Sequence, residues 1–169
     1  KKILFKKYDE VSHYRVEWYD IDYWFKTFNL KSSWRDLLIK YSYEVKSFND
    51  VKKTLDKLSK KFDLIIASNA KHEFISIQIK QLGFEKYFKK MYSSISDFDC
   101  VKKHPVFYNN ISKDLNVQPE EIFHIGDSYE FDFVSAKKAG LNSYFLDRSG
   151  LNTGKNIVNS LDDFVKKII

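Results

Sequence analysis

From about residue 47 onward, short apolar runs alternate with amphipathic segments over links of only a few residues. That alternation limits the fold more than any other feature. "SFNDVKKTLDKLSKKF" sets Val51, Leu55, Leu58 and Phe62 at helical spacing, with Ser47 as a candidate cap. "DLIIAS" has the length and content of a buried strand. "KHEFISIQIKQLGF" predicts a helix stopped at Gly83, "KKMYSSIS" a weaker strand, and "HPVFYNNISKDLNV" a helix with Pro105 in its first turn. "EIFHIGD" is a strand, "SYEFDFVSAKKAG" a helix closed by Gly140, "NSYFLD" a strand, and "SLDDFVKKI" a last helix with Ser160 as candidate cap. Strand following helix over short connections implies right-handed crossovers. The expected class is therefore α/β: a three-layer, Rossmann-like parallel sheet with helices on both faces.

Residues 6–45 break this rhythm. They hold all three tryptophans, Trp18, Trp24 and Trp34, and read as aromatic helices. The organisation expected is a first core strand at 1–5 ("KKILF"), a helical cap region at 6–45, and an α/β core at 46–169. The chain opens on Lys1 rather than Met, so the native beginning is expected to be missing. A length of 169 residues suffices for one sizeable core. No apolar run approaches the ~20 residues of a membrane span. Cys100 is the only cysteine, which leaves no intrachain disulfide and fits a reducing, cytoplasmic setting. The net charge of +6 favours anionic partners, but Lys52, Lys53, Lys57, Lys60 and Lys61 are spread over an amphipathic segment as on a solvated helix face. Nucleic acid is thus not the expected partner. A small phosphorylated substrate is the other anionic partner that the charge admits, and the aromatic patch is a candidate homodimer surface.

In an open α/β sheet the chemistry gathers at the carboxyl ends of the strands. Ser68 and Asn69 follow "DLIIA"; Lys102 and Lys103 follow the third strand segment; Gly126, Asp127 and Ser128 follow "FHI". A hydroxyl, a cation and a carboxylate suit a phosphoryl group, with Asp127 offering hard oxygen to Mg²⁺. Singly, Ser68 reads as a helix cap, either lysine as a surface residue, and Asp127 as a turn former. Their order, each at a strand end, is what points to a site.

These residues resemble a known family, the haloacid dehalogenase-like (HAD) superfamily of phosphohydrolases, across roughly residues 47–148. "DLIIASNA" looks like its second motif, which implies that Ser68 binds phosphate with Asn69 nearby. "KKHPVFYNNISKDLNVQPEEIFHIGDSYEFDFVSAKKAG" looks like its third and fourth. The family spacing of lysine, two residues, then proline selects Lys102 ahead of Pro105, with Lys103 the runner-up. The acidic motif, Gly-Asp, four residues, Asp, matches Gly126, Asp127 and Asp132. The resemblance implies that Asp127 binds Mg²⁺ and that Asp132 supports or ligates the same ion. Dehalogenases proper usually show Ser-x-Asn-x-x-Asp at that point, so the doubled acid favours the metal-dependent phosphatase branch. Residues 6–45 look like part of a helical cap of the kind that closes over such sites.

One part of the pattern is missing. The family nucleophile is the first Asp of Asp-x-Asp-x-Thr after the first strand, but Lys6, Lys7 and Tyr8 follow "KKILF". Asp20-Ile21-Asp22 has the right opening, yet Trp24 occupies the Thr position between helical flanks, and Asp9 is a poorer candidate. The favoured expectation is that the motif is absent through truncation or a skipped segment at the join of "KKILF" and "KKYDEV". The alternatives are a non-catalytic protein that binds a phosphorylated ligand or partner, or Asp20 itself. His124 reads as a packed core histidine, His72 and His13 as surface or packing residues, and His104 as a neighbour of the motif lysine. "SGLNTGK" (149–155) resembles a P-loop only distantly and reads as a loop.

Overall fold

The computed structural model describes residues 2–12 and 15–169, the side chains of Lys2 and Ile3 excepted; the helical reading of His13 falls outside them. The chain forms two compact units. The first comprises residues 1–46 and 66–102, the second residues 47–65 and 103–169.

In the first unit, α1 (Lys2–Val11), α2 (Val16–Tyr19), α3 (Ile21–Thr27) and α4 (Trp34–Tyr41) precede α6 (His72–Gln81), β2 (Phe88–Ser93) and α7 (Ser94–Phe98). The helices gather around aromatic rings. Trp24 is buried, Tyr8 stacks on it at 4.0 Å, Phe28 stacks at 5.7 Å, and its Nε1 donates to the Trp18 carbonyl at 3.0 Å. Trp34 is buried and lies parallel to Phe74 at 5.7 Å.

The opening segment is helix α1, which corrects the expectation of a strand at 1–5. Leu4, Tyr8 and Val11 fall at i, i+4 and i+7, the period of one helical face, and Val11 is buried. The three apolar residues of that segment, Ile3, Leu4 and Phe5, carry no period of their own. The aromatic anchor at Tyr8 therefore decides the segment.

In the second unit, α5 (Val51–Leu58) leads to β1 (Leu64–Ser68), a strand whose last three residues count with the first unit and which pairs with β2. The rest follows as α8 (Pro105–Leu115), β3 (Phe123–Gly126), a π-helical turn (Tyr129–Val134), α9 (Ser135–Lys138), β4 (Asn142–Leu146), β5 (Ile157–Val158) and α10 (Leu161–Ile168). β3 pairs parallel with β4, Gly126 opposite Phe145, and β4 pairs parallel with β5. Parallel neighbours joined through α9 make the crossover unit that the alternation predicts. Leu58, Val158, Phe164 and Val165 form a buried core against which Leu64, Ile125, Tyr144 and Leu146 pack.

Local chemistry sets the ends. Pro105 sits in the first turn of α8, where a missing N–H costs nothing. The Ser160 side chain caps α10 by accepting from the Asp163 amide. Gly140 ends α9 at φ +92°, a conformation other residues resist. Residue 50 rather than Ser47 occupies the cap position of α5, and Asp50 has a larger task. It is buried and receives Arg148 through Nη1 at 2.9 Å and Nη2 at 3.0 Å, plus the Leu161 amide at 2.9 Å. After β4, Asp147 accepts from the Ser149 amide at 3.0 Å and from the Asn152 amide at 2.7 Å and side chain at 2.9 Å. Those bonds make 149–152 a closed loop, as read from the sequence. Among the described residues, no helix is long and apolar enough to cross a membrane.

Asp50 ties α5, the segment after β4 and α10 together. Asp50→Ala strands Arg148 and is expected to cost about 2 kcal/mol in urea unfolding. A loss below a few tenths would show that the pair contributes nothing.

Candidate active site

β3 delivers the acidic turn. Its apolar residue Ile125 faces the core, while His124 and Gly126, two apart, share the opposite face. Asp127 follows in a bend at the strand's carboxyl end and is exposed. The Ser128 side chain then caps the π-turn by accepting from the Phe131 amide at 3.3 Å.

Asp132 is the opposite of Asp127 in environment, with a relative exposure of 3%. Its Oδ1 pairs with Lys103 Nζ and lies 3.2 Å from His124 Nε2. Its Oδ2 accepts from the Ser128 amide at 3.0 Å. Three donors therefore fill three of the roughly four lone-pair positions a carboxylate offers. Burial by itself would raise the Asp132 pKa, but the His124 hydrogen bond and the Lys103 charge outweigh it and hold the group well below the usual carboxylate range. Burial pushes the His124 imidazole down, against the pull of Asp132. Tyr108, on α8, donates its hydroxyl to the Phe131 carbonyl at 2.8 Å and lies 3.2 Å from His124 Nε2.

Gly126 is required where it stands. A Cβ there would overlap the Asp132 carboxyl, 2.6 Å from the Asp132 Cβ. The fold thus presses the buried carboxylate against bare backbone, and the glycine of the acidic motif has a steric reason.

The structure brings Asp127 and Asp132 to one turn, and it is Lys103 that reaches Asp132. Lys102 is buried and belongs to the first unit, as do Ser68 and Asn69. Ser68 ends β1 and its Oγ accepts from the Ala70 amide at 3.1 Å; Asn69 Oδ1 lies 3.3 Å from Ser94 Oγ. Asp20 and Asp22 are engaged as structural groups in that unit. Asp20 caps α3 by accepting from the Asp22 amide at 3.1 Å and pairs with Lys71 at 2.6 Å. Asp22 accepts from Trp34 Nε1 at 2.5 Å. His72 pairs with Asp97 at 2.8 Å, and the exposed His104 precedes α8 edge-on to Phe131.

Sequence reasoning passed over His124 and Tyr108 as participants. The period-two placement of His124 with Gly126 was the available signal for the first. Tyr108 had none, because its partner carbonyl exists only once the π-turn has formed.

For a cation, the carboxylates of the acidic turn are Asp127, exposed at the end of β3, and Asp132, buried with three donors. Among the described residues, no three His, Cys, Asp or Glu side chains gather into a cage. Mg²⁺ takes one or two carboxylates from a protein and fills the rest of its shell with water and phosphate oxygens, and the exposed Asp127 offers that donor chemistry.

Two outcomes follow from this geometry. Gly126→Ala is expected to lower stability by about 2 kcal/mol, since the added methyl displaces the Asp132 carboxyl. Thermal melting checks it. The depressed Asp132 pKa contributes stability that is fully present above the unfolded value near 3.9 and is lost as the pH falls toward the folded value. Stability should therefore drop on acidification below about pH 4, and Asp132→Asn should flatten that slope in acid titrations followed by circular dichroism.

The comparisons with known proteins agree with this architecture. A family model described as haloacid dehalogenase-like hydrolase matches residues 5–146. Among solved structures, a HAD phosphatase from Thermococcus onnurineus superposes with a TM-score of 0.82 at 24% identity, over 96% of this chain and 78% of that one. The HAD-hydrolase YfnB from Bacillus subtilis, bound to magnesium, gives 0.69 at 19% identity, over 85% of this chain and 66% of that one. A 2-haloacid dehalogenase from Pseudomonas syringae gives 0.62 at 21% identity, over 73% of this chain and 54% of that one. Curated protein sequences return no match. At these identities the structural likeness shows a shared Rossmann-type α/β fold, while the family match spans most of the sequence. The chain belongs to the haloacid dehalogenase-like hydrolase family.

Proposed function

We propose that this hydrolase acts on small phosphate monoesters with Mg²⁺, through an aspartyl-phosphate intermediate whose attacking carboxylate belongs to the first family motif, which this sequence does not show. The observation that carries the reading is the division of labour in the acidic turn: Asp127 exposed at the end of β3, Asp132 buried beneath Gly126 and held by Lys103, His124 and the Ser128 amide. A carboxylate exposed at a strand's carboxyl end can meet a ligand, and one with three donors keeps its shape. Asp127 would hold the cation, with Asp132 steadying it. Bound there, Mg²⁺ supplies positive charge against the phosphoryl oxygens.

The remaining roles rest on the family resemblance. Ser68 donates its hydroxyl to a phosphoryl oxygen, Asn69 supports it, and the lysine of the third motif neutralises charge. Lys102 has the family spacing to Pro105, while Lys103 has the ion pair to Asp132. The attacking carboxylate in this reading is neither Asp20 nor Asp22, because both are tied to the Lys71 and Trp34 side chains. The same observation favours a second reading, a non-catalytic protein that binds a phosphorylated ligand.

The test is release of phosphate from para-nitrophenyl phosphate with and without Mg²⁺. The hydrolase reading expects Mg²⁺-dependent turnover, reduced about a hundredfold or more by Asp127→Asn. Absence of turnover, together with calorimetric binding of inorganic phosphate, would establish the binding protein instead. Chloride release from 2-chloropropionate without metal would establish a dehalogenase.

A further inference from the structure

Tyr108 lies on a different element from the acidic turn, yet it touches that turn at Phe131 and the strand before it at His124. Its ring is almost fully buried, at 1% relative exposure, in a helix that begins two residues after Lys103. The π-helical turn of Tyr129–Val134 starts with Ser128 O accepting both the Asp132 amide at 2.8 Å and the Phe133 amide at 3.3 Å. Such a widened turn leaves carbonyls for outside donors. Two hydroxyls take them. Ser143 of β4 donates to the Phe133 carbonyl at 3.1 Å, and Tyr108 donates to the Phe131 carbonyl at 2.8 Å.

A phenol has one hydrogen, and that of Tyr108 goes to Phe131. Its oxygen can then only accept from His124 Nε2, 3.2 Å away. The Asp132 carboxylate, on the other side of the same nitrogen at 3.2 Å, is also an acceptor. A bare Nε2 would set lone pair against lone pair on both sides. Nε2 therefore carries the hydrogen and shares it between Asp132 and Tyr108.

We infer that Tyr108 is a positioning residue for the acidic site. Its hydroxyl locks the π-turn through Phe131 and, through His124, fixes the orientation of the Asp132 carboxylate that receives the Ser128 amide. The start of α8 thereby grips Asp132 twice, by the charge of Lys103 and by the Tyr108–His124 relay. Tyr108 touches no reacting atom in this scheme. It keeps the turn that carries Asp127 in one conformation. The inference deepens the phosphatase reading and rests on it for its kinetic consequence alone.

The test uses the whole chain. In the wild-type protein, ¹H–¹⁵N correlation of the histidine rings should show His124 as the Nε2–H tautomer, and an Nδ1–H tautomer overturns the relay. Tyr108→Phe keeps the ring and removes the hydroxyl. Amide exchange at Ser128 should then quicken about tenfold, while Phe145 and Ile157 of the β4–β5 pair are unchanged. With para-nitrophenyl phosphate, kcat should fall about tenfold with KM within about twofold. Unchanged Ser128 exchange, or an unchanged kcat in an active protein, overturns the proposal. If wild type proves inactive on phosphate esters, the functional reading falls, whereas Ser128 exchange and the His124 tautomer still decide the role of Tyr108.

Discussion

The second unit is organised around one buried negative charge. An unpaired carboxylate in the interior is costly, and it persists only where donors surround it. Asp132 has a lysine, a histidine and a backbone amide, each from a different place in the sequence: Lys103 before α8, His124 in β3, and Ser128 at the mouth of the π-turn. Satisfying that one group therefore joins a helix, a strand and a turn. The requirement also shapes the residues packed around the charge. Gly126 has no side chain because the carboxyl lies against its backbone, and Tyr108 is held in place by the carbonyl of Phe131 and the nitrogen of His124.

How much of this was legible depends on the range of the interaction. The helices α5, α6, α8 and α10 and the strands β1 to β4 follow from period, cap and apolar run, all local properties. The acidic spacing from Asp127 to Asp132 was also readable, because five residues around a turn bring two carboxylates near one strand end. What lies outside local pattern was not readable. β5 is two residues long, Ile157 and Val158, too short to show alternation, and exists because β4 offers Phe145 and Leu146 as partners. The opening helix depends on Tyr8 finding Trp24.

The lysine shows the same limit more sharply. Lys102 and Lys103 are neighbours, and both are buried. Spacing to Pro105 selects one, and the ion pair to Asp132 selects the other. A spacing rule counts positions along the chain, but a side chain's direction depends on the backbone angles between it and the helix start. For two consecutive residues outside regular structure those angles are not encoded in any period.

Three pairs of acids in this chain make the general point. Asp162 and Asp163 are adjacent in the first turn of α10, where one binds Lys53 and the other the cap serine and Lys166. Asp20 and Asp22 are two apart, and both are spent on holding α3 and α4 to Lys71 and each other through Trp34. Asp127 and Asp132 are five apart, and there the neighbours supply donors to only one member. Sequence alone shows three doublets of similar composition. In the third the geometry engages one carboxylate with three donors and leaves its partner exposed at a strand end, which is why the proposed site is placed there. In the proposed site the donors on the buried acid fix the turn, and a fixed turn would let the exposed acid hold a ligand in one direction.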